Sequence, residues 1–164
     1  MKHADTNSID ATESDYLYKG ISQISDSGEG LFTAIDIFRD EIIARFTGEI
    51  LTDWQAAKRQ SEGKDRYFIN MLDGSILDSM HADCFARFAN DANGLTLSNF
   101  KNNSRIVLDE NGNVCIQATR KIKANEELFC SYGRKYWNQF EKHGKNDRQK
   151  DQDSYVVRSK VVKV

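Results

Sequence analysis

Apolar positions along this chain fall in short runs broken by polar, glycine-bearing connections, a rhythm that predicts strands more often than helices. Tyr16–Ile24 alternates well enough for a strand. The loop Asp26-Ser-Gly-Glu-Gly30 follows, with glycines free to take positive φ. Leu31–Ile37 and Ile42–Phe46 are apolar runs parted by Phe38-Arg-Asp-Glu41, which reads as a hairpin connection. Thr52 or Asp53 can cap a helix running to about Gln60 and stopping near Gly63. Tyr67–Leu72 and Ser75–Leu77 flank Asp73-Gly74, and Arg105–Leu108 and Val114–Thr119 flank Asn111-Gly112, both hairpin dipeptides. A short helix capped by Asp83 is expected to Phe88, a loop over Ser98–Asn103, a last strand over Leu128–Tyr132 and a short helix over Lys135–Lys142. The reading is a mostly β domain with short helices, without internal repeats.

Composition sharpens this picture. The 164 residues, 39% apolar and 10% aromatic, suit one globular body over residues 16–137. A polar leader over 1–15 and a polar, basic tail over 138–164 are expected beside it. Within that tail, Tyr155–Val164 could form an edge strand or dock on a partner. No window approaches the ~18 apolar residues of a membrane span, and no secretory signal is visible. Cys84, Cys115 and Cys130 are widely spaced and odd in number. Neither a disulfide framework nor a zinc cluster fits them, which points to a reducing, intracellular setting. The net charge of -2 hides an asymmetry: from Arg134 onward nine Lys/Arg face four Asp/Glu, whereas fourteen face twenty-one before it. An acidic body suits a basic partner; the tail reads first as a solvated segment, and no direct nucleic-acid contact is required.

Two stretches carry the candidate chemistry. Asp83-Cys-Phe-Ala-Arg-Phe-Ala-Asn-Asp-Ala-Asn-Gly94 puts a cation, an aromatic ring and an amide at the end of a short apolar run. Glu126-Glu-Leu-Phe-Cys-Ser-Tyr-Gly133 is an apolar strand ending in a phenol where the chain turns. The two are expected to meet in one pocket with the glycine turn near Glu29.

These stretches resemble the SET-domain family of protein lysine methyltransferases. Gly28-Glu-Gly30-Leu31 is similar to the opening Gly-x-Gly, Phe46-Thr-Gly-Glu49 to Tyr-x-Gly-Glu, and Asp65-Arg-Tyr67 to Asp-x-Tyr. Arg87-Phe-Ala-Asn-Asp91 resembles Arg-Phe-x-Asn-His, Asn102-Asn103 echoes a later Pro-Asn, and Glu126–Gly133 matches the closing Gly-Glu-Glu-Leu-x-x-Tyr-Gly. The blocks occur in the family's order over Tyr18–Trp137, which makes the signal far stronger than any one of them.

The resemblance implies small curved sheets with a knot-like crossing of the terminal segment. It also implies S-adenosyl-L-methionine as cofactor and a protein lysine, plausibly on a histone tail, as acceptor. Tyr132 is then the catalytic residue, placed between cofactor and lysine. Ser27, Gly28, Glu29, Gly30, Tyr67, Arg87, Asn90, Asp91, Tyr132, Tyr136 and Trp137 would contact the cofactor. Phe46, Tyr67, Cys130 and Tyr132 would line the lysine channel. Phe46 stands where the family has tyrosine and Cys130 at its Phe/Tyr switch position; both remove bulk or a hydroxyl, which implies addition of two or three methyls. Asp91 replaces histidine and Ala92 replaces serine. No cysteine follows Trp137, so no metal is expected, and the channel wall would come from the tail, a partner chain or a dimer mate. Two other readings stay open: a SET-like binding module that has lost turnover, and a β-rich interaction domain in which Tyr132 and Trp137 are core.

Overall fold

A computed structural model describes residues 7–71, 73–94 and 98–132 and the two-residue strand Lys160–Val161. Among these the elements run α1 (Glu13–Tyr16), β1 (Leu17–Ile21), β2 (Glu29–Thr33), β3 (Ile42–Arg45), β4 (Glu49–Leu51) and α2 (Asp53–Ser61). Then follow β5 (Phe68–Asn70), β6 (Ile76–Asp78), a 3₁₀ turn (Phe85–Phe88), β7 (Ser104–Leu108), β8 (Val114–Ala118), β9 (Glu127–Leu128), β10 (Cys130–Ser131) and β11 (Lys160–Val161). The mostly β architecture with short helices is as the apolar rhythm predicts. No helix among the described residues is long and apolar enough to cross a membrane. The chain divides into two compact units, one joining Met1–Phe46 to Cys84–Ser131 and the other joining Thr47–Asp83 to Tyr132–Lys163.

Unit 1 contains two sheets, ordered β1-β2-β9 and β10-β7-β8-β3. β1 and β2 pair antiparallel, Tyr18 opposite Phe32, and the two rings stack with centroids 5.5 Å apart. β2 ends at Thr33, short of the expected Ile37, because the buried Thr33 hydroxyl donates to the Ile35 carbonyl and accepts from the Ile35 N–H. That local turn offers the backbone an alternative to the ladder. The run expected as one strand over Leu128–Tyr132 changes sheets midway. β9 pairs antiparallel with β2, β10 pairs parallel with β7, and Phe129 between them bridges Asn90.

Part of the expected polar leader is folded. The Ile42 N–H donates to the Asn7 carbonyl, the Arg45 N–H to the Glu13 carboxylate and the Tyr16 hydroxyl to the Ile43 carbonyl. Sequence polarity conceals this, since the contacts run through backbone groups of β3. Tyr16 itself belongs to α1, so the first strand begins one residue later than expected. The predicted cap at Asp83 is also displaced: Cys84 holds the cap position, and the segment is a 3₁₀ turn.

Unit 2 holds β11-β5-β6-β4. α2 starts where Thr52 predicts, with a reciprocal box: the Gln55 N–H donates to the Thr52 hydroxyl and the Thr52 N–H to the Gln55 side chain. β5 and β6 flank Asp73-Gly74, as the dipeptide predicts. β4 is an additional strand that three residues of sequence do not announce. Leu51, Ala56 and Phe68 form the apolar cluster, with Ile76 against it. Arg59 forks between Glu49 and Asp78, 2.6 Å from each, and so ties two residues that face each other across β4 and β6. Within the C-terminal segment, Lys160–Val161 pairs parallel with β5.

Candidate functional site

The glycine turn lies between β1 and β2. The Ser22 N–H donates to the Gly28 carbonyl at 2.9 Å and closes it, while Asp26 and Gly28 take φ of 61° and 66°. Asp is among the residues that tolerate this region, and glycine enters it without steric penalty. Among the described residues, nothing lies within 4 Å of where a Cβ at Gly28 would sit. The main chain there is open to a ligand, which fits the close approach a cofactor's amino-acid end requires.

Asn90 binds this turn to the terminal strand. Its side-chain amide donates to the Glu29 carbonyl at 3.0 Å, and its own carbonyl accepts from the Cys130 N–H at 2.8 Å. Opposite, the Phe129 carbonyl accepts from the Asn103 and Ser104 N–H groups and the Ser104 hydroxyl. The terminal strand is therefore bracketed by Asn90 on one side and by Asn103 and Ser104 on the other, the two arms of the loop over 91–103. This is the knot-like crossing. Asn103 is fully buried and engages the strand twice more: its amide donates to the Glu127 carbonyl and its side-chain oxygen accepts from the Phe129 N–H.

Asp91 turns its carboxylate into the same loop. It accepts from the Asn93 N–H and the Asn102 side chain, and Asn102 in turn accepts from the Ala92 N–H. The departure from histidine is thus accommodated by a different brace. Arg87 lies with its guanidinium 4.7 Å from the centroid of Phe88, whose ring also carries the Lys19 ammonium at 4.6 Å. Lys19 pairs with Glu29 at 3.9 Å, an exposed contact worth little by itself.

The structure thus brings Ser27, Gly28, Glu29, Gly30, Asn90 and Cys130 together through the turn and the strand. Phe46 and Cys130 are both buried in unit 1. Tyr67 and Tyr132 belong to unit 2; Tyr67 stacks under the Arg66 guanidinium at 5.3 Å, and Tyr132 is 6% exposed. Tyr136 and Trp137 lie outside the described residues. Glu127 is the residue whose importance the sequence does not announce: it is a carboxylate with no exposure at all, concealed in a motif of two adjacent glutamates.

Two buried groups of unit 1 have displaced titrations. Burial, with Asp109 nearby, pushes the Cys115 thiol up to about 12, which leaves it unreactive at neutral pH. Burial, then Glu13 and Glu41, raises the Tyr16 phenol as well. No group of three or more His, Cys, Asp or Glu among the described residues could hold a metal ion.

A family profile described as SET domain matches residues 28–133, and with the bracketed strand and the glycine turn this places the chain in the SET-domain family. A histone-lysine N-methyltransferase, EZH2 of Chaetomium thermophilum, is 30% identical over 129 residues, 73% of this chain and 8% of that protein. Among solved structures, an active polycomb repressive complex 2 in the stimulated state aligns with a TM-score of 0.65 at 22% identity, covering 89% of this chain and 17% of the other. The complex named ctPRC2 in an autoinhibited conformation bound to S-adenosylmethionine aligns at 0.59 and 26%, covering 81% and 17%. The chain spans less than a fifth of the length of these relatives.

Proposed function

We propose that the chain is an S-adenosylmethionine-dependent methyltransferase acting on a lysine side chain of a protein, with a basic tail such as a histone's as acceptor. The observation that carries this reading is the Asn90 bridge, which fixes the open glycine turn against the strand leading to Tyr132. S-adenosylmethionine, when bound, supplies a methyl carbon activated by a sulfonium. The chain's task is alignment, since such a displacement needs donor and acceptor in line. Ser27, Gly28 and Glu29 would offer main-chain groups to the cofactor, Asn90 would hold that surface in place, and Tyr132 would position the reacting amine. A free lysine titrates near ~10.4, so the site must also favour the neutral amine. Phe46 and Cys130, each removing a hydroxyl or bulk relative to the family's pattern, support transfer of two or three methyls. Three buried cysteines, none of them in a disulfide, support an intracellular setting.

The test is calorimetric titration with S-adenosylmethionine, followed by transfer of a labelled methyl group onto mixed histones, with Tyr132→Phe as the comparison. Binding together with transfer that the variant loses supports the enzyme. Binding without transfer onto any protein of a whole-cell extract supports the binding module instead. A blank in both experiments ends the reading. Mass spectra showing only monomethyl product would refute the predicted degree of methylation.

A further inference from the structure

We infer that Glu127 is a positioning residue for the methyl donor, acting through the glycine turn rather than by touching the ligand; this rests on the reading above. Its two carboxylate oxygens are both engaged. Oε1 accepts from the Ser22 hydroxyl at 2.7 Å and Oε2 from the Gln23 N–H at 2.7 Å. Ser22 is further fixed because its hydroxyl oxygen accepts from the Ile24 N–H at 3.1 Å. The carboxylate therefore grips the chain where β1 ends and the turn begins.

It also stands where the turn ends. A Cβ on Gly30 would run into Oε1, so a side chain there would push this carboxylate from its place. One buried group thus sets both ends of the segment 22–30. Between them lie Ser27-Gly28-Glu29, with positive φ at Asp26 and Gly28. The Ser22 N–H bond to the Gly28 carbonyl and the Asn90 amide on the Glu29 carbonyl hold the far side of the turn, and Glu127 holds the side chain and main chain at its start. Glu127 in turn is anchored from behind, its carbonyl accepting from the buried Asn103 amide. A carboxylate accepting two bonds away from water makes charge-assisted contacts, the stronger class of hydrogen bond. A merely structural role would stabilise the whole of unit 1; a positioning role sets the pose of this turn.

The discriminating variants are Glu127→Gln, which preserves volume, and Ser22→Ala, which removes one donor and is gentler to folding. With S-adenosylmethionine as the probe, Glu127→Gln should raise KM and Kd for it roughly tenfold, and Ser22→Ala by less. The kcat and the KM for the protein acceptor should stay within about twofold. Glu127→Asp, which restores the charge, should recover part of the loss. In the ligand-free chain, hydrogen exchange at Gln23 and Ser27 should rise in Glu127→Gln while β7 and β8 stay protected. If both variants lower the melting temperature but leave KM for the methyl donor unchanged, or if exchange rises equally in β7 and β8, the assignment is overturned. Because exchange is read without ligand, failure of the parent chain to bind S-adenosylmethionine would refute the methyltransferase reading without being mistaken for failure of the clamp.

Discussion

Unit 1 buries Asn103, Ser104 and Glu127 and commits each to a backbone group of another segment, whereas in unit 2 the buried Asp78 carboxylate meets a part-exposed guanidinium fork beside the apolar cluster of Leu51, Ala56 and Phe68. The difference matters because the two kinds of interior respond differently to change. An apolar cluster tolerates swaps that conserve volume. A polar bracket needs both partners, since a donor or acceptor left alone out of water costs its full desolvation. Sequence constraint is therefore tightest at such bracketed polar positions, and in unit 1 they hold the segments that present the glycine turn and Asn90.

The comparison can be broken from several directions. Asn103→Ala should have the largest effect, about 3 kcal/mol or more, because it leaves the Glu127 carbonyl and the Phe129 N–H unsatisfied in the interior and adds a cavity. The shift of the urea midpoint measures it; a loss below about 1 kcal/mol would remove the bracket from the account of unit 1. Arg59→Ala in unit 2 should cost about 1–2 kcal/mol, less than a sealed pair. Arg59 is a quarter exposed, although it abandons the buried Asp78 carboxylate. Exchange should then rise along β4 and β6.

A gentler effect is expected at Asp109, whose side chain is 3% exposed and pairs with Arg45 at 3.3 Å. Burial pulls its carboxyl upward, but hydrogen bonds from Asn113 and Asn111 and the charge of Arg45 outweigh it, so it titrates below the usual aspartate value. A depressed carboxylate stabilises above its unfolded value near ~3.9, and that contribution is lost as pH falls through the folded one. The stability advantage of the parent chain over Asp109→Asn should therefore be full at neutral pH and shrink below about pH 4. An advantage undiminished under strong acid would show that the carboxylate's charge is not its source. The smallest effect belongs to Trp54→Ala: the residue is 70% exposed and its ring meets the Lys58 ammonium in a cation–π contact 5.2 Å away. Stability should stay within about 0.5 kcal/mol, and a larger loss would mean that the surface of α2 is part of the core of unit 2.

Much of this was legible in the residues. Asp73-Gly74 and Asn111-Gly112 mark their hairpins because positive φ at the glycine is a local requirement, and Thr52 with Gln55 announces α2 by its own geometry. The pairing of the glycine turn with Asn90 follows from the order of the motifs. What escaped is non-local. The strand over 127–131 reads as one apolar run, yet its partners change from β2 to β7 at Phe129, a switch imposed by Asn103 and Asn90 rather than by its own letters. Asn7–Asp15 looks like a loose leader because polar side chains hide backbone bonds to β3. Glu127 beside Glu126 shows no sign of burial: Glu126 remains at the surface in a pair with Arg120, while its neighbour faces inward. Asp91 likewise shows no sign of its role in the sequence, since only the loop's fold reveals Asn93 and Asn102 as its partners.

The bracketed strand also governs when the molecule can complete itself. As a chain emerges from the ribosome, β1, β2, β3, β7 and β8 are all available before residue 127 is made, yet Asn103 and the Asn90 carbonyl remain without the segment that satisfies them. Closure must wait for residues 127–131 to slip between arms already tethered to β7 and to the 3₁₀ turn. A nascent chain stalled just short of that point would leave Ile24 and Ala92 without the Phe129 ring that covers them, and uncovered apolar surface of this kind is what chaperones recognise first.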